Sequence, residues 1–337
     1  MTMIDPSLHL RDDIFEPKES AATRDGFGAG IVEAARADAR IVVLTADLAE
    51  STRAEWFQKE FPERFIEMGV AEQNMAAVAA GMAAAGKIPF ITSYAMFSPG
   101  RNWEQIRTTI VLNEMPVVVC GMHAGVSVGP DGATHQALED IALMRVLPHM
   151  TVISPCDAEE ARKATIAAAR LGKPVYLRFA RSATPKITTP ETPFEIGRAT
   201  VFYVSPRGDA PRRKVALMAT GPLVHRALLA ARELEKEGIE TAVVNIHTIK
   251  PLDTETIVRV AREYGAVVSI EEHQVAGGLG SAIAEVLVKE CVAPMACIGA
   301  HDAFGQSGEP DELVEHYGMG VSHIVTAAQN VSAKGKK

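Results

Sequence analysis

The chain has 337 residues, 47% of them hydrophobic, and 34 Lys+Arg against 42 Asp+Glu give a formal net charge of -8. This length predicts two ordinary domains with sizeable cores, and the acidic balance argues against a general binder of nucleic acid or of anionic membranes. The N-terminus has no continuous apolar stretch and the four cysteines lie in or beside apolar sequence, so we expect buried, reduced thiols in a cytoplasmic protein.

Short runs rich in β-branched residues alternate with helical patterns through the first half of the chain. The runs, which indicate buried strands, are 41–44, 88–92, 117–120, 152–154 and 175–179. The helical patterns are 26–37, 72–85, 103–112, 135–147 and 158–171. This alternation predicts an α/β domain, a mainly parallel sheet flanked by helices.

A second alternation follows a stretch rich in Thr, Pro and Arg. Its strands are predicted at 215–219, 242–246, 266–270 and near 295–298. We therefore predict an N-terminal extension at 1–20, a first α/β domain at 21–185, a linker at 186–212, a second α/β domain at 213–330 and a tail at 331–337.

Glu72 begins a helical pattern of small apolar residues, within GVAEQNM at 69–75. An acid in the first turn of a helix is commonly a cap, because the exposed N–H groups and the helix dipole favour negative charge there. A carboxyl group against Ala and Met surface, however, has its charged form disfavoured and can share a proton with a ligand nitrogen. Taken alone, Glu72 fits either description.

The segment HAGVSVGPDGATH at 123–135 follows a predicted strand and leads into a helical pattern. Ligand sites of parallel sheets lie at such positions. The glycines permit tight turns, and His123, Asp131 and His135 bring groups that bond and carry protons near neutral pH. A single histidine is more often structural, whereas two around a Gly-rich, Asp-containing loop indicate an active site.

Taken in order, these segments resemble the transketolase family over residues 22–320. The matching stretches are ATR at 22–24, TADL at 45–48, the Glu72 segment, DGATHQALED at 131–140, LRFAR at 177–181, KPLD at 250–253 and GGLG at 277–280. The resemblance implies a pyrimidine-binding domain followed by a transketolase C-terminal domain. It also implies a thiamine diphosphate-dependent enzyme that transfers a two-carbon ketol unit from a ketose phosphate to an aldose or aldose phosphate.

The resemblance implies cofactor contacts for four residues. Glu72 matches the acid that hydrogen-bonds the ring nitrogen of the cofactor's aminopyrimidine and promotes its imino tautomer. Phe97 and Tyr94 match aromatic positions that pack on the pyrimidine ring, although ordinary core packing is the alternative for both. Asp47 matches a position near the cofactor at the subunit interface.

The resemblance also implies substrate contacts. Asp131 matches a position near a donor hydroxyl, His135 a position near the reacting oxygen, and His123 a position further along the sugar channel. The resemblance thus implies that the catalytic residues are Glu72, His135 and His123.

Three further positions match contacts to a sugar phosphate: Arg24, Ser51 and Arg181. Guanidinium groups bind such dianions through charge-assisted hydrogen bonds. Where many transketolases carry an aromatic residue three positions beyond Phe97, this chain has Gly100. We therefore expect a difference in ring packing or in substrate preference.

Full-length members of the family carry an N-terminal domain with a Gly-Asp-Gly motif and a downstream Asn that bind Mg²⁺ and, through it, the diphosphate. The Gly-Asp pair of this chain, Gly208-Asp209, lies in the predicted linker. The resemblance therefore implies a C-terminal subunit of a split transketolase, inactive alone. An N-terminal subunit would ligate Mg²⁺ and complete an α2β2 assembly.

Other functions stay open at this stage. The β subunit of the decarboxylating component of a 2-oxo acid dehydrogenase has the same two-domain plan, and half of a deoxyxylulose phosphate synthase shares the Glu and Arg features. Turnover of pyruvate would favour either. A regulatory or scaffold subunit that has lost activity is the non-enzymatic alternative. The sequence names no physiological sugar, and a sulfonate could replace the phosphate because it uses similar Arg contacts.

Overall fold

The computed structural model describes residues 4–206 and 213–334. In chain order the strands are β1 (Ser20–Ala22), β2 (Ile41–Thr45), β3 (Phe65–Glu67), β4 (Ile88–Tyr94), β5 (Val118–Met122), β6 (Thr151–Ile153), β7 (Val175–Arg178), β8 (Ala183–Pro185), β9 (Thr200–Val204), β10 (Lys214–Ala219), β11 (Glu240–Asn245), β12 (Thr248–Lys250), β13 (Val267–Gln274) and β14 (Met295–Ala300).

The α-helices are α1 (Thr23–Ala37), α2 (Ala54–Glu60), α3 (Glu72–Ala84), α4 (Trp103–Gln105), α5 (Asp140–Arg145), α6 (Ala158–Leu171), α7 (Leu223–Lys236), α8 (Thr254–Tyr264), α9 (Leu279–Glu290), α10 (Pro310–His316) and α11 (Val321–Ser332). A π-helical turn, Ile106–Val111, continues α4, and a 3-10 turn spans Val126–Asp131. In the two described stretches no helix combines the length and the apolar character needed to cross a membrane.

The first sheet has the strand order β12-β6-β7-β5-β4-β2-β3. Its six strands from the first half of the chain are parallel, and their β-branched side chains, apart from the half-buried Ile66 of the edge strand β3, are buried because helices cover both faces. The edge strand β12 runs antiparallel to β6 and comes from the second half of the chain. The second half of the chain therefore completes the sheet of the first.

The second sheet has the order β14-β13-β10-β11-β9, in which only β9 is antiparallel to its neighbour. Both sheets are thus mainly parallel and flanked by helices, which confirms the predicted fold class. The N-terminal extension packs on the second unit, where Ile14 is fully buried in the same hydrophobic cluster as Phe202 and Leu217. It then pairs with the chain after β7 through β1 and β8.

Several local predictions were wrong. The helix predicted at 135–147 is confined to α5, because Gly132 has a positive φ of 74° and Ala137 pairs with Ala124 in an isolated bridge. Cys291 and Cys297 are half-buried, whereas Cys120 and Cys156 are buried as expected. Strands β1, β3, β8, β9 and β12 were not predicted. The pair Gly208-Asp209 lies outside the described residues.

Candidate active site

The candidate residues lie where the parallel strands of the first sheet end. Because the carboxyl ends of parallel strands meet at one edge of a sheet, the topology gathers side chains that are far apart in sequence. By strand, they are Asp47 and Ser51 after β2, Glu72 after β3, Tyr94 and Phe97 at the end of β4, His123, Asp131 and His135 after β5, and Arg181 after β7. Arg24 is the second residue of α1.

Glu72 is a buried carboxylic acid at the first position of α3, with 2% of its surface exposed. Its Oε1 accepts a long hydrogen bond of 3.5 Å from Ser93 Oγ, and Asn102 Nδ2 donates to its backbone carbonyl at 3.1 Å. Its Oε2 has no hydrogen-bond partner among the described residues. Because a buried polar atom without a partner costs free energy, this oxygen is available to a ligand.

Aromatic and imidazole rings stack on one another where β4 and β5 end. The ring of Tyr94 stacks on His123 with centroids 4.0 Å apart and on Phe97 with centroids 6.1 Å apart. His135 meets Phe97 edge-on at 5.3 Å. The stack fixes the His123 ring, while Phe97 stays half-exposed and keeps ring surface for a ligand.

Arg24 connects the loop after β2 to His123. Its Nη1 donates to the backbone carbonyl of Ser51 at 2.8 Å and lies 3.2 Å from His123 Nε2. Because a guanidinium group can only donate, Nε2 is the acceptor and a neutral ring carries its proton on Nδ1. Nδ1 is buried and lacks a partner within the described part of the chain. The ring therefore offers an N–H group to a ligand oxygen.

Positive charge dominates this corner of the site. Burial, then the charges of Arg24, Arg181 and Arg53, lower the pKa of His123 from 6.5 to about 3, so the ring is neutral near neutral pH. Burial and the charges of Arg53 and Arg181 also lower the pKa of Arg24. Arg53 has its own counter-ion, Asp25, at 2.7 Å. Guanidinium groups that disfavour one another's charge favour a bound anion.

The loop Val126–Asp131 brings Arg181 and Asp131 together. Nη1 of Arg181 donates to the Val128 carbonyl at 2.7 Å and lies 4.0 Å from the carboxylate of Asp131. His135 follows the loop, with Nδ1 2.9 Å from Thr134 Oγ1. Asp131 is exposed and His135 half-buried, so both lie on the solvent side of the site.

Asp47 and Ser51 contact other residues of the site through their backbone groups. Asp47 has a left-handed backbone with φ of 59°, and its N–H donates to Glu67 Oε1 at 2.8 Å. The same oxygen accepts the N–H of Gly69 at 2.9 Å. Ser51 contributes its carbonyl oxygen to Arg24. Glu67 therefore fixes the turn that leads from β3 into Glu72.

Gly100 lies in a turn with no room for a side chain. A Cβ atom at this position would lie 1.9 Å from the carbonyl oxygen of Met96, so any larger residue requires the backbone to move. Asn102 stabilises this turn by donating to Ser98 Oγ at 3.2 Å. Gly100, where many transketolases carry an aromatic residue, therefore lies in close contact with the backbone of Met96.

The sequence did not predict four residues that contact the candidate site residues: Arg53, Glu67, Ser93 and Asn102. A usable signal existed only for Ser93, which directly precedes Tyr94 at the end of a predicted strand. The other three act through contacts between distant segments, such as the bond from Asn102 to Glu72.

The side chains fit an aminopyrimidine ring better than a metal ion. The free Oε2 of Glu72 can share a proton with a ring nitrogen, and Phe97 can pack on the ring face. Residues 4–206 and 213–334 hold no group of three or more His, Cys, Asp or Glu that could bind a metal.

Two family models match the chain. Residues 19–186 match "Transketolase, pyrimidine binding domain", and residues 207–324 match "Transketolase, C-terminal domain". The resemblance noted in the sequence is thereby confirmed over both units.

Relatives of two lengths align with the chain. The putative transketolase C-terminal section of Methanocaldococcus jannaschii is 41% identical, and the alignment covers 88% of this chain and 92% of that protein. The 6-deoxy-6-sulfo-D-fructose transketolase subunit SqwH of Clostridium sp. is 39% identical over 95% of this chain and 98% of that protein. Transketolase-like protein 2 of Mus musculus is 35% identical over 95% of this chain but only 50% of that protein.

A solved structure named "Split gene transketolase, inactive beta4 tetramer" is also similar. It superimposes with a TM-score of 0.85 at 44% sequence identity, covering 94% of this chain and 99% of that chain. Proteins about the length of this chain and a protein about twice as long are therefore similar to it in sequence, and a solved chain of its own length shares its fold.

Proposed function

Because the chain belongs to the transketolase family, we propose that it is the C-terminal subunit of a thiamine diphosphate-dependent transketolase. With an N-terminal subunit, it transfers a two-carbon ketol unit from a ketose phosphate to an aldose or aldose phosphate. The observation that carries the proposal is the buried Glu72 carboxyl group, whose Oε2 lacks a partner among the described residues. It lies at the same edge of the first sheet as the stack of Tyr94 on His123 and the cluster of arginines.

Each group of the site has a role in this proposal. When bound, thiamine diphosphate supplies the electron sink for the carbanion left by cleavage of the ketose carbon–carbon bond. Glu72 Oε2 holds a proton against the ring nitrogen of the pyrimidine, and Phe97 packs on the ring. His123 donates its Nδ1 hydrogen to a substrate oxygen, while His135 and Asp131 handle the sugar hydroxyls from the solvent side.

The requirement for a second subunit is part of the proposal. The described residues offer the pyrimidine end of the cofactor a partner, the Oε2 atom of Glu72. The names of similar proteins support a division between chains: one is a C-terminal section, one a subunit, and one an inactive β4 tetramer of a split gene transketolase. An N-terminal subunit that ligates Mg²⁺ in an α2β2 complex completes the enzyme.

The substrate should carry an anion at the end bound by Arg24 and Arg181. Phosphate is the first candidate, because paired guanidinium groups match its charge and geometry. A sulfonate is the second, supported by the relative named for 6-deoxy-6-sulfo-D-fructose. Comparing kcat/KM for a ketose 6-phosphate and the corresponding 6-deoxy-6-sulfo ketose separates the two.

The test mixes the purified chain with its N-terminal partner, thiamine diphosphate and Mg²⁺, and measures two-carbon transfer from a ketose phosphate to an aldose phosphate. Each chain alone is the control. We expect transfer only in the mixture. Turnover of pyruvate without two-carbon transfer would instead identify the chain as a subunit of a 2-oxo acid dehydrogenase or of a deoxyxylulose phosphate synthase. A mixture that binds the cofactor without turnover would support a scaffold subunit.

A further inference from the structure

A side chain of the second sheet reaches into the loop of the first domain that leads to Asp131. Glu272 lies near the end of β13 and is 3% exposed. Its Oε1 accepts the backbone N–H of Ser127 at 2.6 Å, a short, buried hydrogen bond across the boundary between the two units. Bonds of a carboxylate to a backbone N–H are among the stronger ones in proteins.

The backbone of the loop leaves room for this carboxylate. Gly125 has a φ of +89°, and a Cβ atom there would lie 2.3 Å from Glu272 Oε1. Any other residue would combine a strained backbone with a clash. The approach of Glu272 therefore depends on a glycine at this position.

The other side of the loop is bound to residues of the substrate site. Arg181 donates to the carbonyl of Val128, and Ser182 Oγ donates to the carbonyl of Ser127, both at 2.7 Å. Ser127 is thus held at its N–H by Glu272 and at its carbonyl by the segment that contains Arg181. A shift of Ser127 would move the Val128 carbonyl and, with it, the guanidinium group of Arg181.

Glu271, the preceding residue, provides the natural comparison. Successive side chains of a strand point to opposite faces, and Glu271 accepts the N–H groups of Leu279 at 2.6 Å and Gly280 at 2.8 Å, at the start of α9. Both acids are buried and both accept backbone N–H groups. Glu271 acts within its own unit, and Glu272 acts on the loop of the other.

We propose that Glu272 is a positioning residue for the substrate site: it holds Ser127 so that Arg181 faces the anionic end of the sugar. This inference rests on the proposed function for the identity of the substrate. It gives the second unit a part in substrate binding, although all the candidate substrate contacts lie in the first.

The first experiment uses the full chain alone. Hydrogen exchange is measured by NMR at the Ser127 amide in the wild type, Glu272→Ala, Glu272→Gln and the matched control Glu271→Gln. We expect faster exchange only in Glu272→Ala, because the amide oxygen of Gln can still accept the N–H. Wild-type exchange in Glu272→Ala would overturn the proposal.

The second experiment measures kinetics in the complex with the N-terminal subunit, using a phosphorylated donor and a shorter donor without phosphate. For Glu272→Ala we expect KM for the phosphorylated donor to rise roughly ten- to hundred-fold, the size of a lost charged hydrogen bond, with kcat nearly unchanged. KM for the neutral donor should stay constant, and Glu272→Gln should restore wild-type values. An equal rise in KM for both donors would refute positioning through Arg181.

The two proposals can fail separately. If the wild-type complex transfers no two-carbon unit, the proposed function fails, while exchange at Ser127 still decides whether Glu272 holds the loop. If transfer occurs and Glu272→Ala behaves as wild type in both experiments, only the positioning role fails.

Discussion

Glu72, the first residue of α3, and Glu271, a residue of β13 that faces the start of α9, are both buried acids, yet their oxygens are used differently. Both oxygens of Glu271 accept backbone N–H groups from the first turn of α9. Glu72 has one long contact, to Ser93, and an Oε2 without a partner among the described residues. Burial of an acid costs free energy in both places, but only at Glu271 do hydrogen bonds to both oxygens offset part of that cost.

The histidines show the same contrast. His273 has Nδ1 2.7 Å from the carbonyl of Gln274, and its Nε2 accepts the N–H of Ala142 at 3.4 Å. His123 has a partner at Nε2, but its buried Nδ1 has none within the described part of the chain. Glu72 and His123 therefore each keep a buried polar atom without a partner among the described residues, at the strand ends of the first unit. Thr241, Asn245 and Ser269 of the second unit also have such an atom, so a missing partner indicates a ligand contact only where other candidate residues converge.

The largest expected effect is a loss of kcat when the carboxyl group of Glu72 is replaced by an amide, with the same replacement at Glu271 as the control. In the reconstituted complex, Glu72→Gln should lower kcat roughly 10²- to 10⁴-fold, the usual range for loss of a proton-transfer group. Its unfolding free energy in urea should stay close to that of the wild type, because Oε2 makes no internal bond. The control Glu271→Gln should keep turnover per folded complex. Unchanged turnover in Glu72→Gln would remove the assigned role.

A second pair of variants compares Arg24 with Arg178. Arg178 is buried and paired with Asp140 at 2.7 Å, so Arg178→Met should cost about 3–5 kcal/mol of unfolding free energy by leaving that carboxylate buried and unpaired. Arg24→Met should instead raise KM for an anionic donor roughly ten- to hundred-fold. Urea titration and steady-state kinetics of both variants provide the measurement. A larger stability loss in Arg24→Met than in Arg178→Met would contradict the distinction.

The pH dependence of stability sharpens the comparison for Glu271. Burial raises its pKa from 4.5 to about 7, against the opposing hydrogen bonds from Gly280 and Leu279. The folded protein thus binds this proton more tightly than the unfolded chain. The contribution of the protonated Glu271 side chain to the unfolding free energy is therefore fully present below pH 4.5 and is lost as the pH rises through about 7. The stability difference between wild type and Glu271→Gln should therefore shrink across this window in urea titrations. A constant difference would argue against a shifted pKa.

The smallest effect concerns the protonation of His123. Because its pKa is lowered from 6.5 to about 3, the ring should stay neutral near neutral pH. Its contribution to the unfolding free energy should be present above pH 6.5 and should fall as the pH drops from 6.5 through about 3. In Arg24→Met, NMR titration of the ring should show a higher pKa, because the charge of Arg24 is the second cause after burial. The matched control is Arg36→Met, an exposed residue of α1. An equal shift in both variants would contradict this assignment.

Much of the fold followed from local patterns. Buried strands alternating with helical patterns predicted two mainly parallel sheets, and the motif at Glu72 with the loop after His123 predicted the edge where the candidate residues meet. These features are visible in sequence because hydrophobic period and glycine placement act over a few neighbouring residues. The helix predicted at 135–147 was too long, because the bridge between Ala137 and Ala124 is a tertiary contact.

The sequence by itself determined the fold class, the family and the residue types at the site. Only the tertiary structure decided that Oε2 of Glu72 and Nδ1 of His123 lack partners among the described residues, that Ser51 acts through its carbonyl, and that Glu272 reaches Ser127 across 145 positions. Such contacts join segments whose separation along the chain carries no periodic signal. Which buried atoms find a partner is therefore settled only when the whole chain has packed.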